Sequence, residues 1–220
     1  MDIKSALVLV SSAGSKIGRT LAAHFASLGA TVVICDKDSQ ALEETYLQCL
    51  RISTQVIQCP LPNYSIHSIN HLFEFIDQKA QRSPNILINT LTTEAMPDIF
   101  DQQANELYSQ RLSQVATTLY SFGQVTAQRM RNNNSHGVIV NVIGHDDLYD
   151  SERHDNTAFM VAGFTQSWAK QLSEFNIRVG GVVPCNEPNG MHWAEIQDEL
   201  IRNTEYIVTN EYFSGRVVAA

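Results

Sequence analysis

The segment SALVLVSSAGSKIGRTLAAHFASLGATVVICDKD constrains the fold more than any other stretch of the chain. An apolar run of strand length leads into a loop of small residues, then an amphipathic helix pattern, then a second apolar run that ends in an acid. Continuous Val, Ile and Leu runs suit strands buried on both faces. Two such strands joined through a helix lie parallel, and the crossover is right-handed.

The pattern repeats. Strands are expected at Ala6–Val10, Thr31–Cys35, Gln55–Gln58, Asn85–Asn89, Val138–Ile143, Arg178–Val183 and Arg216–Ala219. Helices are expected at Ile17–Leu28, Ser39–Leu50, Ile66–Gln81, Asn105–Arg131 and Ala158–Glu174, with a short one near Ala194–Ile201. Gly29 sits where the first helix should stop, and Arg131–Gly137 is a polar turn. Alternating strands and helices imply an α/β chain: a three-layer Rossmann-type doubly wound fold with a seven-stranded parallel sheet. Its 220 residues suit a single dinucleotide-binding domain over 1–220. In such folds ligands bind at the carboxyl ends of the strands, so the irregular segment Cys185–Trp193 overhangs the site.

Composition narrows the function classes. At 44% hydrophobic and 17% charged residues the chain is not a disordered one. A net charge of −8 repels a polyphosphate backbone and disfavours nucleic-acid binding. Cys35, Cys49, Cys59 and Cys185 form no CxxC pair, so they read as free thiols in a reducing compartment. MDIKSALVLV lacks the basic region and apolar length of a signal peptide or membrane span, which points to a cytoplasmic protein.

The loop Ser11–Gly18 joins the first strand to its helix. Main-chain amides at a helix start meet phosphate groups, and Gly18 permits close packing of helix on strand. Asp36 lies 18 positions beyond Gly18, near the spacing for a carboxylate on an adenosine ribose. Here the chain resembles the short-chain dehydrogenase/reductase family, whose first motif is T-G-x-x-x-G-x-G. Ser11 stands at its Thr, Ser12 at its first Gly, Lys16 at its second and Gly18 at its third. NILINTLTT is similar to its ILVNNAG strand, with Asn89 at the first Asn. HGVIVNVIG is similar to G-x-IVN-x-S-S, and AGFTQSWAKQLSEFNIRVGGVVPCN to its long helix and sixth strand. YFSGRVVAA resembles its closing YxTGxxLxVDGG.

The resemblance implies a nicotinamide dinucleotide contacted by Ser11, Ser12, Lys16, Ile17, Gly18, Asp36, Lys37, Leu61, Asn89, Leu91, Val142 and Pro184. Asp36 accepts from a free 2′-hydroxyl and favours NAD(H). Lys16, Lys37 and Arg19 are cations that could meet a 2′-phosphate if Asp36 swung out, and their number tips the expectation slightly to NADP(H).

The family's Asn-Ser-Tyr-Lys tetrad is not matched. The Asn position falls at Ala116 or, with a one-residue slip, at Val115. The Ser position falls at Gly144. The Tyr and Lys positions fall at His154 and Ala158 if the helix is kept intact, or at Thr157 and Val161 if the spacing from Gly144 is kept. Pro60, Cys185, Glu187 and Asn189 also replace residues the family uses on its cofactor. Replacement proton donors would come from His145, Asp146, Asp147, Tyr149, Arg153 and His154, clustered after the fifth strand. His154 and His145 are the catalytic candidates, because imidazole titrates near neutral pH. No G-x-S-x-G motif, paired Cys base or metal-ligand spacing occurs.

Three functions follow as expectations. The first is an atypical NAD(P)(H)-dependent oxidoreductase with non-tetrad chemistry. The second is a catalytically inactive nucleotide-binding sensor or regulatory protein, and the third an assembly surface. In the family, the two helices represented here by Asn105–Arg131 and Ala158–Glu174 pair across a subunit seam. A homodimer or homotetramer is therefore implied.

Overall fold

Every residue of the first strand, β1 (Leu7–Val10), is buried, and its side chains divide between two apolar layers. That is the burial of a central strand covered on both faces. In the computed structural model, which describes residues 1–93, 97, 100, 104–145, 156–183 and 193–220, strands and helices alternate. After β1 come α1 (Lys16–Ser27), β2 (Thr31–Asp36), α2 (Ser39–Leu50), β3 (Val56–Pro60), α3 (Ile66–Ala80) and β4 (Ile86–Thr93). Then follow α4 (Ala104–Asn132), β5 (Gly137–His145), α5 (Asn156–Leu172), β6 (Ile177–Val183), α6 (Trp193–Thr209) and β7 (Arg216–Ala219).

All seven strands join one parallel sheet in the order β3-β2-β1-β4-β5-β6-β7. The order reverses between β1 and β4, and ligands of such sheets bind in the crevice beyond that reversal. Buried residues of α1, α2 and α6 pack with Val8, Val10, Val32 and Ile34 on one face. Those of α3 and α4, with Trp168 of α5, pack with Leu7, Leu9, Val33 and Leu87 on the other.

Side-chain caps start the helices that frame the site. Ser15 caps α1 by accepting from the Gly18 amide, Asp38 caps α2 from the Gln40 and Ala41 amides, and Ser65 caps α3 from the Ser68 amide. Several boundaries differ from expectation, three of them with a bearing on the site or the core. β4 and β5 run on together, pairing Asn89↔Asn141 through Thr93↔His145. Leu91 is therefore a strand residue, and His145 ends β5 instead of following it. The short final helix extends to Thr209, because Ile207 and Val208 continue the buried stripe begun by Leu200.

Candidate functional site

Ser11 closes β1 and ties it to β4 at the reversal. Its amide donates to the Ile88 carbonyl, and its Oγ accepts from the Thr90 amide at 3.0 Å and donates to Asn89 Oδ1 at 3.2 Å. The Thr90 hydroxyl donates to the Ser11 carbonyl. Ser12 then turns the chain with φ of 44°, in the left-handed region that favours glycine. Its carbonyl accepts from both the amide and the hydroxyl of Ser15, at 3.1 and 2.7 Å. A Cβ on Gly18 would strike that carbonyl oxygen and lie 2.7 Å from Ala13 Cα. The start of α1 is thus pressed onto the loop. The Lys16 and Ile17 amides find no acceptor among the described residues, which leaves two donors for an anion.

Asp36 ends β2 and is 6% exposed. Its Oδ2 accepts from the Gly14 amide at 2.8 Å. Its Oδ1 accepts from the Asp38 amide at 3.0 Å and from the Tyr64 hydroxyl at 3.1 Å. Ser12 Oγ donates to the Tyr64 oxygen at 3.1 Å. Burial, and secondarily the Asp36 charge, push the Tyr64 phenol well above its ordinary value, so it stays a donor. Leu61, buried just past β3, donates its amide to the Asp36 carbonyl at 2.8 Å.

The cations counted from the sequence do not converge on Asp36. Arg19 reaches Glu44 at 3.0 Å and Thr45 Oγ1 at 3.2 Å. The Lys16 ammonium lies 4.3 Å from the Trp193 ring centre, and that of Lys37 lies 5.9 Å from the Tyr64 ring centre. Tyr64 escaped the sequence reading, and Trp193 entered it only as the end of the segment expected to overhang the site. The only local signal for Tyr64 was an aromatic residue directly before a helix cap.

Further along the crevice, Asn89 Nδ2 donates to the Leu119 carbonyl and to Asn141 Oδ1, both at 3.1 Å. It pins α4 to the sheet. Val142 is buried on the α1 and α6 face. On the opposite face Leu91, Val115, Leu119, Ile143 and Val161 form a separate apolar cluster, with Met160, Phe164 and Val183 against it. Gly144 follows Ile143 in β5 but faces the α1 side, where a Cβ would run into Ile17 Cδ1. His154, Pro184 and Cys185, with Asp146, Asp147, Tyr149, Arg153, Glu187 and Asn189, lie outside the described residues. Among those described, no group of three or more His, Cys, Asp or Glu is placed to hold a metal ion. No helix among them is long and apolar enough to cross a membrane.

Two open amides and a glycine at the closest approach suit a diphosphate, and the carboxylate at the end of the next strand suits a hydroxyl donor. A ribose hydroxyl would meet Asp36 with three donors already in place.

The family model described as short chain dehydrogenase matches residues 6–199. Human (3R)-3-hydroxyacyl-CoA dehydrogenase is 24% identical over 193 residues, covering 83% of this chain and 73% of that protein. A 3-oxoacyl-(acyl-carrier-protein) reductase from Thermotoga maritima is 26% identical over 189 residues, covering 84% and 75%. A solved short chain dehydrogenase from Mycobacterium smegmatis superposes with a TM-score of 0.83 at 24% identity, over 99% of this chain and 92% of that one. A 3-ketoacyl-(acyl-carrier-protein) reductase from Brucella melitensis, solved with NADH, superposes with a TM-score of 0.79 at 18% identity, over 99% and 97%.

Proposed function

Because this chain belongs to the short-chain dehydrogenase family, we propose that it binds a nicotinamide dinucleotide but lacks the family's proton-transfer residues. It would act as a nucleotide-binding sensor or regulatory protein. The family is one of oxidoreductases that bind NAD(P)(H). In this reading the Lys16 and Ile17 amides take the diphosphate, Gly18 lets it approach, and Asp36 accepts from the adenosine ribose. Leu61 contacts the adenine, and Leu91 and Val142 line the nicotinamide end.

The observation that carries the reading is the apolar cluster of Leu91, Val115, Leu119, Ile143 and Val161. Two of its members, Val115 and Val161, stand at the tetrad's Asn and Lys positions in one of the alternatives that the resemblance allows. The dinucleotide, when bound, supplies a hydride. Reduction of a carbonyl also needs a proton, and the side chains of this cluster have none to give. Losing a positioned acid removes about 10²–10⁴-fold of rate.

The geometry favours NAD(H) over the NADP(H) suggested by the charge count. Asp36 faces inward, held by two main-chain amides, so its charge stays at the 2′ position and repels a phosphate there. Arg19 is committed to Glu44. A second reading keeps slow reductase activity through His145 or His154. It draws on the place of His145 as the last residue of β5, next to Gly144.

Titration calorimetry with NADH and NADPH, followed by carbonyl panels monitored by loss of reduced-cofactor absorbance, tests the proposal. Saturable binding, tighter for NADH and without turnover, is expected. Binding of neither cofactor overturns it, as does turnover on the order of 1 s⁻¹ or faster, the ordinary enzyme range.

A further inference from the structure

We propose that the Tyr64 hydroxyl occupies the seat at Asp36 that an adenosine ribose takes, so that Tyr64 sets the affinity of the dinucleotide site. This rests on the dinucleotide reading above and adds a specificity-determining residue to it.

The Tyr64 hydroxyl donates to Asp36 Oδ1 and accepts from Ser12 Oγ, both at 3.1 Å. That is the bonding of a sugar hydroxyl: one donor into a carboxylate, one acceptor toward the loop. A carboxylate offers about four lone-pair sites. Gly14, Asp38 and Tyr64 use three of them. The two amides belong to the fold of the loop and of the α2 start, so neither can leave. A ribose brings neighbouring 2′- and 3′-hydroxyls, and Asp36 receives both only when the phenol has gone.

The ring itself is held elsewhere. It meets Phe122 of α4 edge to face at 5.5 Å between centroids, and the Lys37 ammonium lies over it. The phenol oxygen is therefore the one part of Tyr64 that enters the ribose seat, and its removal leaves the packing in place. The pair it makes is charge-assisted and half-buried, which makes it a strong competitor for the carboxylate. Ser12 belongs to the same device, because a glycine at that position would have no hydroxyl to hold the phenol.

Calorimetric titration of NADH into the wild-type protein and Tyr64→Phe tests the proposal, with Asp36→Ala introduced into each as a second pair. Tyr64→Phe should bind NADH roughly tenfold tighter, the factor set by about 1.4 kcal/mol. The gain should vanish in the Asp36→Ala pair. Wild-type binding with an equal or weaker Tyr64→Phe overturns this proposal and leaves the dinucleotide reading standing. Binding by neither protein overturns both. Should Tyr64→Phe fail to fold by its thermal transition, Ser12→Ala substitutes for it. Removing the donor that holds the phenol should then tighten NADH several-fold, and an unchanged or weaker affinity overturns the proposal.

Discussion

Gly144 of β5 and Ile17 of α1 compete for one volume: a Cβ on the glycine would run into the Ile17 δ-methyl. Helix α1, which carries the candidate diphosphate amides, thus packs directly on the strand that ends beside the apolar cluster. The obstructing atom is the tip of a flexible side chain, so the overlap is relieved by a rotamer change. Gly144→Ser should therefore fold, with a stability loss on the order of 1 kcal/mol. It should not produce carbonyl reduction, because a hydroxyl placed there faces Ile17, and the Leu91, Val115 and Val161 cluster on the other face of the sheet has no acid to give. Urea unfolding and a reduced-cofactor assay on the purified variant check both parts.

Ser12 sits at φ 44° and donates to Tyr64, so its backbone and its side chain pull stability in opposite directions. Relief of the left-handed conformation by glycine gains about 1 kcal/mol, and loss of the hydroxyl bond costs about as much. Ser12→Gly should then be close to neutral. Ser12→Ala keeps the strain and loses the bond, so it should be less stable than the glycine variant by about 1 kcal/mol. Denaturant midpoints of the two variants, measured side by side, give the difference.

What could be read from the sequence was local. Ser39–Leu50 matches α2 because Asp38 supplies a cap and the buried stripe is short and regular. Arg216–Ala219 matches β7 for a similar reason: the turn before it carries Gly215, which adopts φ 71°. The end of α6 was hidden because the polar run Arg202–Tyr206 separates Leu200 from Ile207 and Val208. The extensions of β4 and β5 were hidden because they depend on each other: Thr90 and Thr92 are strand residues through pairing with Val142 and Gly144. The site was legible where a motif is contiguous, as in Ser11–Gly18. It was illegible where partners are far apart in the chain, as with Ser12, Asp36 and Tyr64. Arg19 illustrates the same limit, since its ion pair with Glu44 is formed by helix packing and has no trace in local spacing.

Burial makes the thiols a source of alkaline sensitivity. Desolvation pushes Cys49 from 9.0 up to about 11, and also raises Cys35 and Cys59. For a group raised on folding, the folded state holds its proton longer than the unfolded chain does. Its contribution is complete below pH 9 and is lost as pH rises from there toward 11. Stability should therefore fall across that window, and Cys49→Ala should fall less steeply over the same range. Thermal midpoints in a pH series check the slope. A thiol-reactive dye at neutral pH should label Cys35 and Cys49 only as fast as the protein opens, because both are buried and protonated.

The last expectation concerns α4 and α5, which pack side by side on one face of the sheet. Phe159 is 78% exposed and Tyr120 is 46% exposed, with Leu107 and Tyr108 also open to solvent. A largely solvated phenylalanine on a folded helix forgoes most of the about 1.5–3 kcal/mol that full burial supplies. A second copy of the chain offers the same apolar surface, and a twofold arrangement brings each α5 against its mate. The chain should therefore sediment as a dimer or a tetramer. Phe159→Glu places a charge at the centre of that seam, where it would be buried without a partner. The variant should shift to monomer in analytical ultracentrifugation and keep its cooperative thermal transition, since the side chain contributes nothing to the core of its own subunit. A wild-type chain that sediments as a monomer across the working concentration range would remove the seam from the account of this fold.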